Sequence, residues 1–93
     1  MDNLFEIIHE SNNLSFYRYG NIVVGNGGIN ELKTKFPNNT LTFDSKFFPT
    51  NKTYCSTQSS QTTTVGELTI YPKGNFSIVG NGASFNISWI LKN

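Results

Sequence analysis

The sequence predicts an all-β fold, a compact antiparallel β-sandwich or barrel, from composition and from alternation. Its uncharged polar residues include 13 Asn, 10 Thr and 9 Ser, against a single Ala. Asn and Ser compete with helical backbone hydrogen bonds, while Thr, Val, Ile and aromatics suit a pleated surface. In the second half apolar residues alternate with polar ones: Leu68 and Ile70 share a face, Phe76 and Ile78 do likewise, and so do Phe85, Ile87 and Trp89. Lys73-Gly74-Asn75 and Gly80-Asn81-Gly82 supply the intervening turns. Short strands at such spacing characterise sandwiches and barrels. At 93 residues the chain is one small domain, and Leu, Ile, Val and Phe together are numerous enough to build its core.

The elements follow in order. Leu4, Phe5, Ile7 and Ile8 fit either a short helical turn or a strand, and in both cases form an apolar end that needs a partner. Asn12-Asn13 reads as a turn, followed by strands at 14–19 and 22–24 separated by Gly20-Asn21. Gly25-Asn26-Gly27-Gly28 is the strongest turn signal of the first half. Over 29–36, Ile29, Leu32 and Phe36 have helical spacing, but Asn30, Thr34 and the missing caps favour an irregular strand. Pro37-Asn38-Asn39 turns the chain, 41–43 is a short strand, and Asp44-Ser45-Lys46 is a second turn. A strand is expected over 50–55. Residues 56–64 lack any apolar side chain and read as an exposed loop or a solvated strand edge. Strands at 65–71, 76–79 and 83–91 complete the chain. Val24-Gly25-Asn26-Gly27 recurs as Val79-Gly80-Asn81-Gly82; neither copy completes a phosphate-binding glycine motif, so both read as hairpin turns.

Charge and residue counts narrow the chemistry. A formal net charge of +1 with 14% charged residues gives no electrostatic footprint for nucleic acid or an anionic membrane. No apolar run reaches the ~18 residues of a membrane span, and the acidic start is unlike a secretory leader, so a soluble, unprocessed chain is expected. Cys55 is the only cysteine and His9 the only histidine. No internal disulfide can form, and neither zinc nor another metal site, nor any cofactor, is expected. Cys55 reads as a small strand residue, because a thiolate nucleophile needs a base beside it. Catalysis is not expected.

What remains is a surface rich in aromatics and amides. Flat rings hold the C–H faces of sugars while amide, carboxylate and guanidinium groups fix the hydroxyls, and tyrosine combines flat area with a polar tip. Tyr17, Arg18, Tyr19, Asp44, Lys46 and Tyr54 are the candidate ligand-binding residues. The competing reading makes Tyr17 and Tyr19, which share a strand face, packing residues. Trp89 reads as core or subunit interface.

Four motifs in order carry a family resemblance. They are the aromatic-basic strand 16–19 ending in Gly20-Asn21, the segment 41–49 closing on Phe47-Phe48-Pro49, the hairpin 68–78 with its Gly74-Asn75 turn, and the closing strand 85–91 containing Ile87-Ser88-Trp89-Ile90. Together they resemble the C-terminal head domains of tailed-phage fibre and baseplate proteins of Gram-positive hosts, with Phe43 departing from a proline usual in the second segment. The resemblance implies a homotrimeric, non-catalytic head over residues 14–93, preceded by a connecting segment over 1–13. Such a head recognises a host cell-wall or pellicle saccharide from the virion tail, alongside other tail proteins. The alternative is a structural trimerising domain of the tail without sugar binding.

Overall fold

The computed structural model describes residues 4–59 and 64–91. Seven strands form one antiparallel sheet: β1 (Phe5–Ser11), β2 (Leu14–Tyr19), β3 (Ile22–Gly28), β4 (Thr53–Gln58), β5 (Thr64–Ile70), β6 (Phe76–Gly80) and β7 (Ser84–Ile90). Their order across the sheet is β1-β2-β3-β7-β4-β5-β6. One helix, α1 (Ile29–Lys35), and two 3₁₀ turns, Pro37–Asn39 and Ser45–Phe47, fill the stretch between β3 and β4.

The sheet has two halves. β3 and β7 pair over seven residues, from Ile22 opposite Ile90 to Gly28 opposite Ser84. β7 meets β4 only at Thr57 opposite Phe85 and Gln58 opposite Ser84. Below that short seam the halves diverge, and the inward side chains of both, Leu14, Phe16, Val23, Phe85, Ile87 and Trp89 from one and Leu68, Ile70 and Phe76 from the other, meet in one core. The all-β expectation holds as a sandwich-like arrangement. It is not closed into a barrel, because β1 and β6 remain edges.

The strict alternation of β7, with Phe85, Ile87 and Trp89 buried and their neighbours exposed, follows from one face meeting the core. Asn13, at φ 58, and Gly20, at φ 62, make the two tight turns that join β1, β2 and β3. Phe5–Ser11 of the expected connecting segment pairs along β2 as an edge strand of this same sheet.

Five local expectations are corrected. Residues 25–28 are not a turn but the second half of β3, a continuous strand against both β2 and β7. Their glycines serve close packing: a β-carbon on Gly25 would lie 2.4 Å from Cε1 of the buried Phe16 ring. The second copy of the repeat does turn, with Gly80 at φ 88. Residues 29–35 are helical rather than extended. Ile29, Leu32 and the following Phe36 point into the core, so burial of one face outweighs the absence of a side-chain cap. The Ile29 N–H also donates to the Ala83 carbonyl (2.9 Å), tying the start of the helix to the β6–β7 turn.

Residues 41–43 do not form a strand; the chain makes a single bridge, Thr40 with Asn75, and drops Leu41 into the core. Finally, β4 begins at Thr53, later than expected. Before it, hydroxyls take the place of ladder partners: Thr50 Oγ1 donates to the Ile90 carbonyl (3.3 Å) and Thr53 Oγ1 to the Asn51 carbonyl (3.0 Å). Of the polar stretch 56–64, Ser56, Thr57 and Gln58 belong to β4, Thr64 opens β5, and 60–63 lie outside the described residues. Thr57 is fully buried rather than solvated.

Candidate binding face

The outward face of β1, β2, β3 and β7 is set by register. Reading across the strands, Glu10, Ser15, Asn26 and Asn86 form one row, Ile7, Tyr17, Val24 and Ser88 a second, and Phe5, Tyr19, Ile22 and Ile90 a third. Strand spacing and rise make this grid about 14 Å on each side. A bulge between Ile7 and His9 realigns β1 so that Glu10 faces outward beside Ser15. Glu10 is its single charged residue.

The third row is the apolar end. Phe5 and Tyr19 are each 52% exposed and Ile90 62%, with Ile7 and Ile22 also open to solvent. The Phe5 ring lies 5.1 Å from Tyr19 and 5.6 Å from Tyr17, centroid to centroid, both tilted. At the polar end the Tyr17 hydroxyl donates to Glu10, and Ser15 Oγ to Asn26 Oδ1 at 3.3 Å. The Glu10 bond holds the Tyr17 phenol protonated, raising its pKa above the ordinary value. The face therefore grades from carboxylate, hydroxyl and amide groups to bare rings and aliphatic chains.

Ile22 and Ile90 also border a cleft of about 460 Å³ where β4 leaves β7, lined further by Thr50, Asn51, Thr53, Ser88 and Trp89. No charged side chain lines it. Higher on the same seam, Cys55 is half-buried, and its thiol accepts a hydrogen bond from the Asn86 backbone. Burial, the larger influence, still pushes its pKa up.

The sequence candidates are dispersed over this fold. Tyr17 and Tyr19 come together on the outward face of β2. Arg18, between them, points to the opposite face, where Nη1 reaches Glu6 Oε1 (2.6 Å) and Nε the Gly20 carbonyl (2.6 Å). Asp44 caps the second 3₁₀ turn by accepting the Lys46 backbone N–H (2.9 Å), and the Lys46 ammonium lies over the Phe47 ring. Tyr54, 60% exposed, sits on β4 with Lys52 beside it, three strands from β2 in the sheet order and in the other half of the sheet. Phe5, Glu10, Ser15 and Asn26 join the tyrosines although none was a candidate ligand-binding residue in the sequence. Phe5 carried a signal as part of the apolar end that needs a partner, and Asn26 as part of an apparent turn.

Trp89 is core: it is 5% exposed and its Nε1–H donates to the Phe47 carbonyl at 2.8 Å. His9, on β1, lies against the edge of Phe36 and bonds Ser11 Oγ (2.9 Å). Cys55, on β4, is four strands from β1 in the sheet order, and its thiol is perturbed by burial, the Asn86 backbone and Glu67. Among the described residues no three His, Cys, Asp or Glu side chains gather to hold a metal ion, and no helix is long and apolar enough to cross a membrane. No family model matches the chain, and no curated protein or solved structure matches it either.

Proposed function

We propose that this chain is a non-catalytic receptor-binding head of a phage tail, recognising a host cell-surface saccharide on the outward face of β1, β2 and β3. The observation that carries the reading is the open aromatic group Phe5, Tyr17 and Tyr19, bordered by Glu10, Ser15 and Asn26. Rings of this kind stack on the apolar faces of pyranoses, and the adjoining carboxylate, hydroxyl and amide meet their hydroxyls. A shallow platform favours weak, reversible contact, which a threefold assembly converts into avidity. The family resemblance supplies the phage, the threefold arrangement and the saccharide class. Binding of the fluorescently labelled protein to a panel of purified Gram-positive wall polysaccharides tests the reading; retention on at least one is expected, and retention on none overturns it.

A second reading is favoured by the aliphatic end of the same face. Ile7, Ile22 and Ile90 offer a sugar little, but they are ordinary interface residues. On this reading the face packs against neighbouring copies and the chain is a structural trimerising domain of the tail. A trimer that binds no polysaccharide, and that dissociates on Ile90→Lys, is its signature.

A further inference from the structure

The two edges of the sheet differ. β1 is bulged between Ile7 and His9 and carries Glu6, His9 and Glu10, which are devices that discourage strand addition. β6, Phe76-Ser77-Ile78-Val79-Gly80, has no charged residue and no proline, and pairs with β5 without a register shift. Among the described residues, the bridge from Thr40 to Asn75 touches the chain just before β6 begins and no strand covers β6 itself. Val79 is 65% exposed.

The direction of the free backbone groups follows from the hairpin. The Tyr71 N–H donates to the Asn75 carbonyl (2.9 Å), so by antiparallel alternation Ser77 and Val79 turn their N–H and C=O groups toward β5. Those of Ile78 point outward, with no described strand to receive them. We propose that β6 is a self-docking edge, through which two copies of this chain pair antiparallel about a two-fold axis at Ile78.

The strand is self-complementary about that residue. Ile78 meets Ile78 of the second copy in a reciprocal pair of N–H···O=C bonds, and Ser77 lies opposite Val79. Phe76, the bulkiest residue, lies opposite Gly80, which has no side chain. No like charges face one another. Pairing β6 with the bulged, charged β1 of another copy would break the ladder and leave an open chain, whereas the two-fold contact closes on itself. This inference does not rest on the saccharide reading. β6 is at the far end of the sheet from the aromatic grid, and two threefold heads can join through it as readily as two single chains.

Light scattering on the full chain across a concentration series, with amide hydrogen exchange, tests it. An even copy number is expected, two or six, and Val79→Lys should halve it with an unchanged circular dichroism spectrum. The variant places two lysines in diagonal contact across the axis, about 7–8 Å apart. In the parent protein, exchange at the Ile78 amide should slow about tenfold or more as concentration rises. A monomer, a trimer, or an Ile78 amide whose exchange is independent of concentration overturns the proposal, whether or not the variant folds.

Discussion

The indole N–H of Trp89 donates to the backbone carbonyl of Phe47 at 2.8 Å, across 42 positions of sequence. This bond fastens the loop between α1 and β4 onto the last strand, and it satisfies a carbonyl that burial would otherwise orphan. Phe43, Phe47 and Phe48 pack edge-on beside it, with Phe43 also 5.2 Å from Phe16. Replacing Trp89 by Phe removes the donor and part of the ring together. A loss of about 2–4 kcal/mol in denaturant unfolding is expected. A loss below ~1 kcal/mol would mean that the loop is held by other contacts.

Gly25 lies against the Cδ1–Cε1 side of the Phe16 ring. Since Phe16 is fully buried, the ring has little room to retreat from a methyl group at 2.4 Å. Gly25→Ala should destabilise by about 1–3 kcal/mol, although alanine is ordinarily no worse than glycine in a strand. An unchanged unfolding midpoint would show that Phe16 has another rotamer available.

Both residues illustrate what the sequence discloses. The alternation of Phe85, Ile87 and Trp89 made β7 readable, because a strand with one buried face must write that period into its residues. Gly25-Asn26-Gly27-Gly28 misled for the opposite reason. Those glycines answer to Phe16 and to the backbone at Asn13, contacts made between strands, and local turn chemistry cannot tell such a glycine from one that turns. The helix at Ile29–Lys35 was likewise settled by burial of Ile29 and Leu32. At the candidate face, sequence reading already grouped Tyr17 and Tyr19, because they lie on one strand two residues apart. It included Arg18 by proximity, although adjacent strand residues face opposite ways. Phe5, Glu10 and Asn26 arrive from other strands by register, which only the folded sheet determines.

Thr57 is fully buried, and its hydroxyl has no hydrogen-bond partner among the described residues. Valine has nearly the same shape without the unpaired polar atom, and suits a strand at least as well. Thr57→Val should raise stability by about 1 kcal/mol, read as a shift of the urea midpoint at constant m. A decrease would reveal a partner for the hydroxyl.

His9 resists protonation in the folded state, first because of its burial and then because of the positive Lys35, so its pKa is below the ordinary 6.5. The unfolded chain therefore binds the proton more readily, and acid favours unfolding. His9's stabilising contribution is complete above pH 6.5 and declines as the pH falls from there through the lowered folded value. His9→Gln should flatten the stability curve in that window while leaving the plateau above it largely in place. An identical acid slope in the variant would assign the effect to carboxylates.

The proposal that the outward tyrosines of β2 contact a saccharide is tested most directly by comparing the polysaccharide affinity of the parent with that of Tyr17→Ala/Tyr19→Ala. Both residues are on the sheet surface, so the double variant should keep the circular dichroism spectrum of the parent. A loss of about tenfold or more in affinity is expected, since each ring supplies on the order of 1 kcal/mol. Arg18→Lys, on the opposite face, should bind as the parent does. Undiminished binding by the double variant, or an equal loss from Arg18→Lys, would contradict the assignment of this face.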